Sequence, residues 1–346
     1  MSLPLGTVYR VISALVLFAT THLAFAQSEQ LQQYLPTHQV SGVIHIWGSP
    51  QMGDLLRRYE AGFHQVQPEV RFDDNLKSTL TAVPAVYTGR AEIGLLGREI
   101  WPTELQAFAS VEGHPPTVIE VATGSYDVPK VTFALMIFVA RANPVASLSI
   151  QQLSQIFGTP ATGAIRTWGD IGLKGTWARK PIHLYGFARD NDKSQIFSQL
   201  VFKNGEHWNC GLREFSNTTG ADSTDAGELI VRAVAADPYA IGISNVHYAT
   251  PGVRALPLAL HDDTAPIFPS SKSVADRSYP LSRAVYMVLD TSPGQEPIAA
   301  TAEFLRFVLS RQGQQAVVQE GNYLPLTADA AARQLRALSG QSKGSQ

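Results

Sequence analysis

The segment Val43-Ile44-His45-Ile46-Trp47 is a short apolar run that stops at Gly48-Ser49-Pro50, and behind it Met52, Leu55, Leu56, Tyr59 and Phe63 recur at helical spacing. A run of this length reads as a strand, and the spacing after it as an amphipathic helix whose first turn accepts Pro50. The pattern repeats at once. Val70 to Phe72 reads as a second strand, Ser78-Thr79 opens a helix carrying Leu80, Val83, Val86 and Tyr87, and Ala91 to Leu96 reads as a third strand. Pro84 fits that helix only near its first turn, where no backbone bond is lost. Strand, turn and helix twice in succession make a parallel sheet the default, because parallel neighbours need a crossover between them. The expected class is α/β.

The alternation continues. Val118 to Ala122 and Phe133 to Ala140 read as strands, 150–157 and 193–202 as helices, and Ile182 to Tyr185 as a strand ending just before Arg189. A helix over 225–236, capped by Ser223 or Thr224, leads to a strand at Ala240 to Ser244. After a Pro-rich stretch from Pro251 to Pro269 come a strand at 284–289 and helices at 297–310 and 313–320. The tail from Ser339 is Gly, Ser, Gln and Lys, a disordered composition.

Composition narrows the function. With 45% hydrophobic and 16% charged residues in 346, the chain can bury sizeable cores. Its 27 Lys and Arg against 29 Asp and Glu give a formal charge of -2, which excludes a nucleic acid or anionic membrane as an electrostatically driven partner. Cys210 stands alone, so neither an internal disulfide nor a multi-thiolate metal site is available. The histidines do not pair at zinc-binding spacing, and neither Gly-x-Ser-x-Gly nor a P-loop occurs. No metal and no cofactor is expected. At the amino terminus, Arg10, the apolar stretch Val11 to Phe18 and Ala24-Phe25-Ala26 have the layout of a signal peptide (1–26) cleaved after Ala26. The apolar run falls short of the roughly 20 residues of a spanning helix. A periplasmic, soluble chain is expected.

Three turns set hydroxyls, N–H groups or cations after strands and at helix starts: Gly48-Ser49-Pro50, Lys77-Ser78-Thr79, and 188–194 with Arg189, Lys193 and Ser194. A helix start carries unpaired N–H groups and about half a positive charge, so a small oxyanion suits it. Each hydroxyl taken alone reads first as a plain helix cap, and the alternative for Arg189 is a surface ion pair with Asp190 or Asp192.

These residues stand within a longer series of motifs. Gln152-Leu153-Ser154-Gln155-Ile156-Phe157 precedes Trp168-Gly169-Asp170-Ile171, then come the Pro181-Ile182 strand leading to Arg189, Ala240-Ile241-Gly242-Ile243-Ser244 and Tyr279-Pro280-Leu281-Ser282-Arg283. Phe304 to Ser310, Gly313-Gln314 and Gly321-Asn322-Tyr323-Leu324-Pro325-Leu326 complete it. In order and spacing the chain from Val43 to Leu326 resembles the periplasmic phosphate-binding receptors of phosphate ABC importers, a branch of the type 2 periplasmic binding proteins.

The resemblance implies a two-lobed type 2 periplasmic binding protein fold with the ligand cleft between lobes, one lobe formed by 40–125 plus 255–338 and the other by 126–254, with the tail at 339–346 left outside both. It implies a monomeric solute-binding protein that delivers phosphate to a membrane permease. Its ligand groups fall on Ser49, Ser78 with Thr79, and Arg189, whose planar fork binds two oxygens at once. The chain departs from the family twice. A small glycine turn after the arginine is replaced by Asn191-Asp192-Lys193-Ser194-Gln195, where Lys193 supplies a cation and Ser194 a hydroxyl. Gly97 stands where the family carries an Asp that accepts the proton of hydrogen phosphate, and Arg98 adds a cation beside it; Arg98 and Glu99 read equally as a surface pair. Two other functions remain open: a receptor-like protein with an altered or lost ligand, acting in sensing or scaffolding, and an enzyme acting on an anionic substrate.

Overall fold

The computed structural model describes residues 31–159, 163–202, 207–220, 223–292 and 295–339. The expected signal peptide, and the tail beyond Ser339, lie outside them. The chain divides into two compact units, the first holding residues through Ser125, Lys130–Thr132 and everything from Ala284, the second Tyr126–Pro129 and Phe133–Arg283.

In the first unit β1 (Gly42–Gly48) enters with Ile44 and Ile46 fully buried, and a 3-10 turn at Pro50–Met52 runs straight into α1 (Gly53–His64). Then follow β2 (Val70–Asn75), a 3-10 turn at Thr79–Thr81, α2 (Ala82–Tyr87), β3 (Ile93–Leu96), α3 (Pro102–Glu112) and β4 (Thr117–Thr123). Pro84 is the third residue of α2, where its missing N–H costs no helical bond.

The second unit contains β5 (Met136–Ala140), β6 (Leu148–Ser149), α4 (Ile150–Phe157), β7 (His183–Phe187), α5 (Asp192–Val201), β8 (Leu212–Phe215), α6 (Ala226–Ala236), β9 (Ala240–Ser244), β10 (Val253–Ala255), β11 (Leu258–Ala259) and α7 (Ser271–Ala275). The chain then returns to the first unit as β12 (Ala284–Leu289), α8 (Ala299–Val308), α9 (Arg311–Glu320) and α10 (Ala328–Leu338).

Each unit is built on a five-stranded sheet, in the orders β2-β1-β3-β12-β4 and β10-β5-β9-β7-β8. The parallel arrangement expected from the first three strands holds, since β1 pairs parallel with both β2 and β3. β12 breaks it, lying antiparallel to β3 and β4. It enters after the chain has passed through the second unit, so no helical crossover fixes its direction.

Packing fixes the turns that matter. Tyr59 and Phe63 on α1 are fully buried, and Phe63 meets Phe304 at 5.3 Å and Phe307 at 5.7 Å between ring centroids. Each such ring contributes about 1.5–3 kcal/mol, so α1 and the turn before it are held firmly against α8. Glu303 on α8, fully buried, accepts from the Tyr34 hydroxyl at 2.5 Å, from the Thr37 hydroxyl and from Arg306 Nη1 at 2.9 Å, tying down the start of the described chain. In the second unit Phe197 of α5 stacks on Trp208 at 5.3 Å and meets Phe157 of α4 edge-on at 5.3 Å.

Three elements escape apolar periodicity. α3 buries one side chain, Phe108, α10 is alanine-rich, and β8 is an edge strand. The cap of α6 also differs from expectation. Asp225 itself caps it, accepting from the Gly227 N–H at 2.8 Å, so neither Ser223 nor Thr224 holds that place. Among the described residues no helix is long and apolar enough to cross a membrane.

Candidate functional site

Gly48 closes β1 with φ at +147°, and a Cβ there would lie 2.2 Å from the Leu95 carbonyl oxygen. Only glycine lets the ends of β1 and β3 approach this closely. The Ser49 N–H then donates to that same carbonyl at 2.9 Å, and Pro50 starts the helical run. Ser49 stands in the cap position with extended backbone, yet its hydroxyl makes no capping bond. It is fully buried and has no hydrogen-bond partner among the described residues. A buried hydroxyl left unmatched costs about 1–3 kcal/mol, so this oxygen calls for a partner that the described residues do not supply.

Gly97 completes the environment. A Cβ at 97 would come within 2.7 Å of Ser49 Oγ and 3.6 Å of Gln51 Oε1, so the missing side chain is what leaves room beside the hydroxyl. The Gly97 carbonyl is fixed by the Thr132 hydroxyl. Ser49 and Gly97, separated by 48 positions, are thus neighbours. Ser78 and Thr79 also lie at this region of the first unit, in a turn that packs on β1 and β3. Ser78 spends its hydroxyl on capping, accepting from Leu80 N–H at 3.2 Å, and Thr79 is the first residue of the 3-10 turn.

Arg98 is buried and turned to α3. Its Nη1 and Nη2 grip the Glu104 carboxylate at 2.8 and 2.7 Å, Nη1 also donates to the Glu99 carbonyl, and the guanidinium lies 3.8 Å from the centre of a Trp101 ring. This is a two-point charged pair of the strong kind, and it fixes the start of α3.

In the second unit β7 delivers the chain to the 188–194 turn. Asn191 caps α5, its side chain accepting from the Lys193 N–H at 3.0 Å. Ser194 is buried and donates to the Phe187 carbonyl at 3.0 Å, stitching helix to strand. Arg189 is held by Glu214 of β8, which takes Nε at 2.8 Å and the backbone N–H at 2.9 Å. Its partner is therefore neither Asp190 nor Asp192.

Asp192 is engaged elsewhere. Oδ1 lies 3.1 Å from Lys193 Nζ and Oδ2 3.9 Å from Nη2 of Arg283, whose side chain is only 1% exposed. Burial pulls the Asp192 carboxyl upward, but Lys193 and Arg283 outweigh it and hold the group below its ordinary value. Arg283 is the charged group here that the sequence reading leaves without a role. Arg283 does carry a signal, since a cation directly before the apolar strand at 284–289 must find a counter-charge.

The chain matches the model of the PBP superfamily domain over residues 33–312. The phosphate-binding protein PstS of Pseudomonas aeruginosa is 29% identical over 337 residues, 95% of this chain and 98% of that protein. Two solved structures share the fold. PstS from Borrelia burgdorferi aligns with a TM-score of 0.55 at 15% identity, covering 83% of this chain and 100% of that one. An ABC-type phosphate transport receptor from Vibrio cholerae gives 0.52 at 19%, covering 81% and 99%.

Proposed function

The chain belongs to the PBP superfamily, and from that premise we propose that it is an extracytoplasmic solute-binding protein that captures inorganic phosphate for an ABC importer. The observation that carries the reading is the Ser49 hydroxyl, buried and unpartnered at the start of a helical run, where N–H groups favour an anion. Likeness to a phosphate-binding protein along nearly the whole of both chains supplies the choice of anion.

In the first unit the reading assigns Ser49 as donor and Gly97 as the space beside it. In the second it assigns Lys193, with Ser194 and Asn191 holding its backbone in place. Charged hydrogen bonds contribute roughly 1.5–3 kcal/mol each, and micromolar affinity needs about 8 kcal/mol, so a handful of such contacts suffices after ordering costs. Binding, followed by handover to a membrane permease, is the whole activity in this reading. The protein acts as a monomer in the periplasm, reached through the signal peptide, and turns nothing over.

Isothermal titration of the mature chain with phosphate, arsenate, sulfate and molybdate tests this. One phosphate bound per chain is the expected result. Silence towards all four points to scaffolding or sensing without this ligand, and hydrolysis of a phosphoester would replace the receptor by an enzyme.

A further inference from the structure

Two backbone carbonyls stand near Ser49, and each already has a donor. The Leu95 carbonyl accepts from the Ser49 N–H at 2.9 Å, and the Gly97 carbonyl accepts from the Thr132 hydroxyl. Thr132 is itself held. It is 4% exposed, and its own carbonyl accepts from the Ser125 N–H at 2.7 Å. It ends the short stretch Lys130–Thr132 by which the chain returns to the first unit, so Thr132, Gly97 and Ser49 all belong to that unit. We propose that Thr132 is a positioning residue of the anion site: by aiming the Gly97 carbonyl it keeps that oxygen from capturing the Ser49 hydroxyl, which stays free for the ligand. The inference rests on the reading of Ser49 as a donor to phosphate.

The geometry puts the two groups within reach of each other. A Cβ built on Gly97 would lie 2.7 Å from Ser49 Oγ and 3.4 Å from Ser49 Cβ. The Gly97 Cα is one bond farther off, and its carbonyl oxygen lies two bonds from that Cα, so turning one peptide plane brings the oxygen to the hydroxyl. Glycine permits such a turn more readily than any other residue. The driving force is the unmatched O–H, since a buried donor without an acceptor is costly. A carbonyl can accept twice, so what Thr132 controls is direction. Its β-branched side chain has few rotamers, which suits it to fixing one. On the other side, Arg98 Nη1 donates to the Glu99 carbonyl at 2.8 Å while the guanidinium grips Glu104, anchoring the residues that follow Gly97.

Loss of the Thr132 hydroxyl then has an unusual signature. The Gly97 carbonyl exchanges one donor, Thr132, for another, Ser49, and the number of internal bonds is kept. Stability holds while the ligand loses its donor. A hydroxyl with a purely structural role behaves in the opposite way, lowering stability and leaving the affinity of the folded chain as it was.

The test is calorimetric titration with inorganic phosphate, with thermal melts alongside, of the mature chain, Thr132→Val, Thr132→Ser, Ser49→Ala and the double variant Ser49→Ala/Thr132→Val. Thr132→Val keeps the shape and removes the donor. It should weaken phosphate binding at least roughly tenfold and move the melting temperature by no more than about 4 °C. Thr132→Ser returns the donor and should bind within about threefold of the natural chain. In the Ser49→Ala background, Thr132→Val should cost less than about a further threefold, because no hydroxyl is left to capture.

Four results would overturn the proposal while leaving Ser49 as a phosphate donor. Thr132→Val could bind as tightly as the natural chain, it could fail to fold, its loss could be repeated in full in the Ser49→Ala background, or Thr132→Ser could bind as weakly as Thr132→Val. Absence of phosphate binding by the natural chain, or an unchanged affinity in Ser49→Ala, removes the reading of Ser49 itself and the proposal with it.

Discussion

Ser49 and Ser78 both follow a strand and both begin a helical run, yet their hydroxyls have opposite fates. Ser78 accepts from the Leu80 N–H, whereas Ser49 is buried without a partner. Replacing Ser49 by Ala should therefore raise stability by about 1–3 kcal/mol, since an unmatched polar group is removed. The same change should weaken phosphate binding roughly tenfold or more if that oxygen donates to the ligand. Thermal melts and titration on one variant read both effects, and a loss of stability with unchanged affinity would make Ser49 a structural residue. At this scale the sequence shows which residues stand at helix starts, but not which hydroxyls are already taken. The arginines teach the same lesson. Arg98 finds Glu104 six positions on, while Arg189 finds Glu214 on β8, an edge strand with too little apolar pattern to be read. A partner on an unread strand cannot be foreseen.

Elements with a dense apolar stripe are legible, and those held by one or two contacts are not. α1 buries Leu55, Leu56, Tyr59 and Phe63 at helical spacing, whereas α3 buries Phe108 and owes its start to the grip of Arg98 on Glu104. α1 also carries a feature with no apolar signature, the half-buried Glu60 facing Asp74 at the end of β2. Burial, and then the neighbouring Asp74, push the Glu60 carboxyl up to about 8 from 4.5, against a smaller downward pull from Arg57. The folded state therefore keeps a proton that the unfolded chain releases. Any stability linked to that proton is complete below the unfolded value and declines as pH rises through the folded one. Resistance to urea should fall between about pH 5 and pH 8, and Glu60→Gln should flatten the decline and leave the protein more stable at the alkaline end. Parallel pH profiles for the two proteins would remove Glu60 as the cause.

For the molecule as a whole, charge decides what kind of anion binder this can be. The formal charge of -2 creates no attractive field for phosphate, so capture must depend on groups within a few ångströms of the ligand. Composition shows this directly. The discontinuous first unit, which takes Lys130–Thr132 after Ser125 and is resumed at Ala284, leaves no mark on composition or periodicity, and only the order of motifs hints at it. Local capture has a measurable consequence. Salt screens interactions longer than about 8–10 Å at physiological strength, but it acts far less on partly buried pairs in contact. Phosphate affinity should therefore fall only a few-fold between about 0.05 and 0.5 M sodium chloride, and the association rate should change equally little. Polyanion binders behave differently, because their affinity collapses by orders of magnitude as released counterions are returned. A steep salt dependence here would mean that phosphate is gathered by an extended basic surface, and the local donors Ser49 and Lys193 would then lose their assigned role.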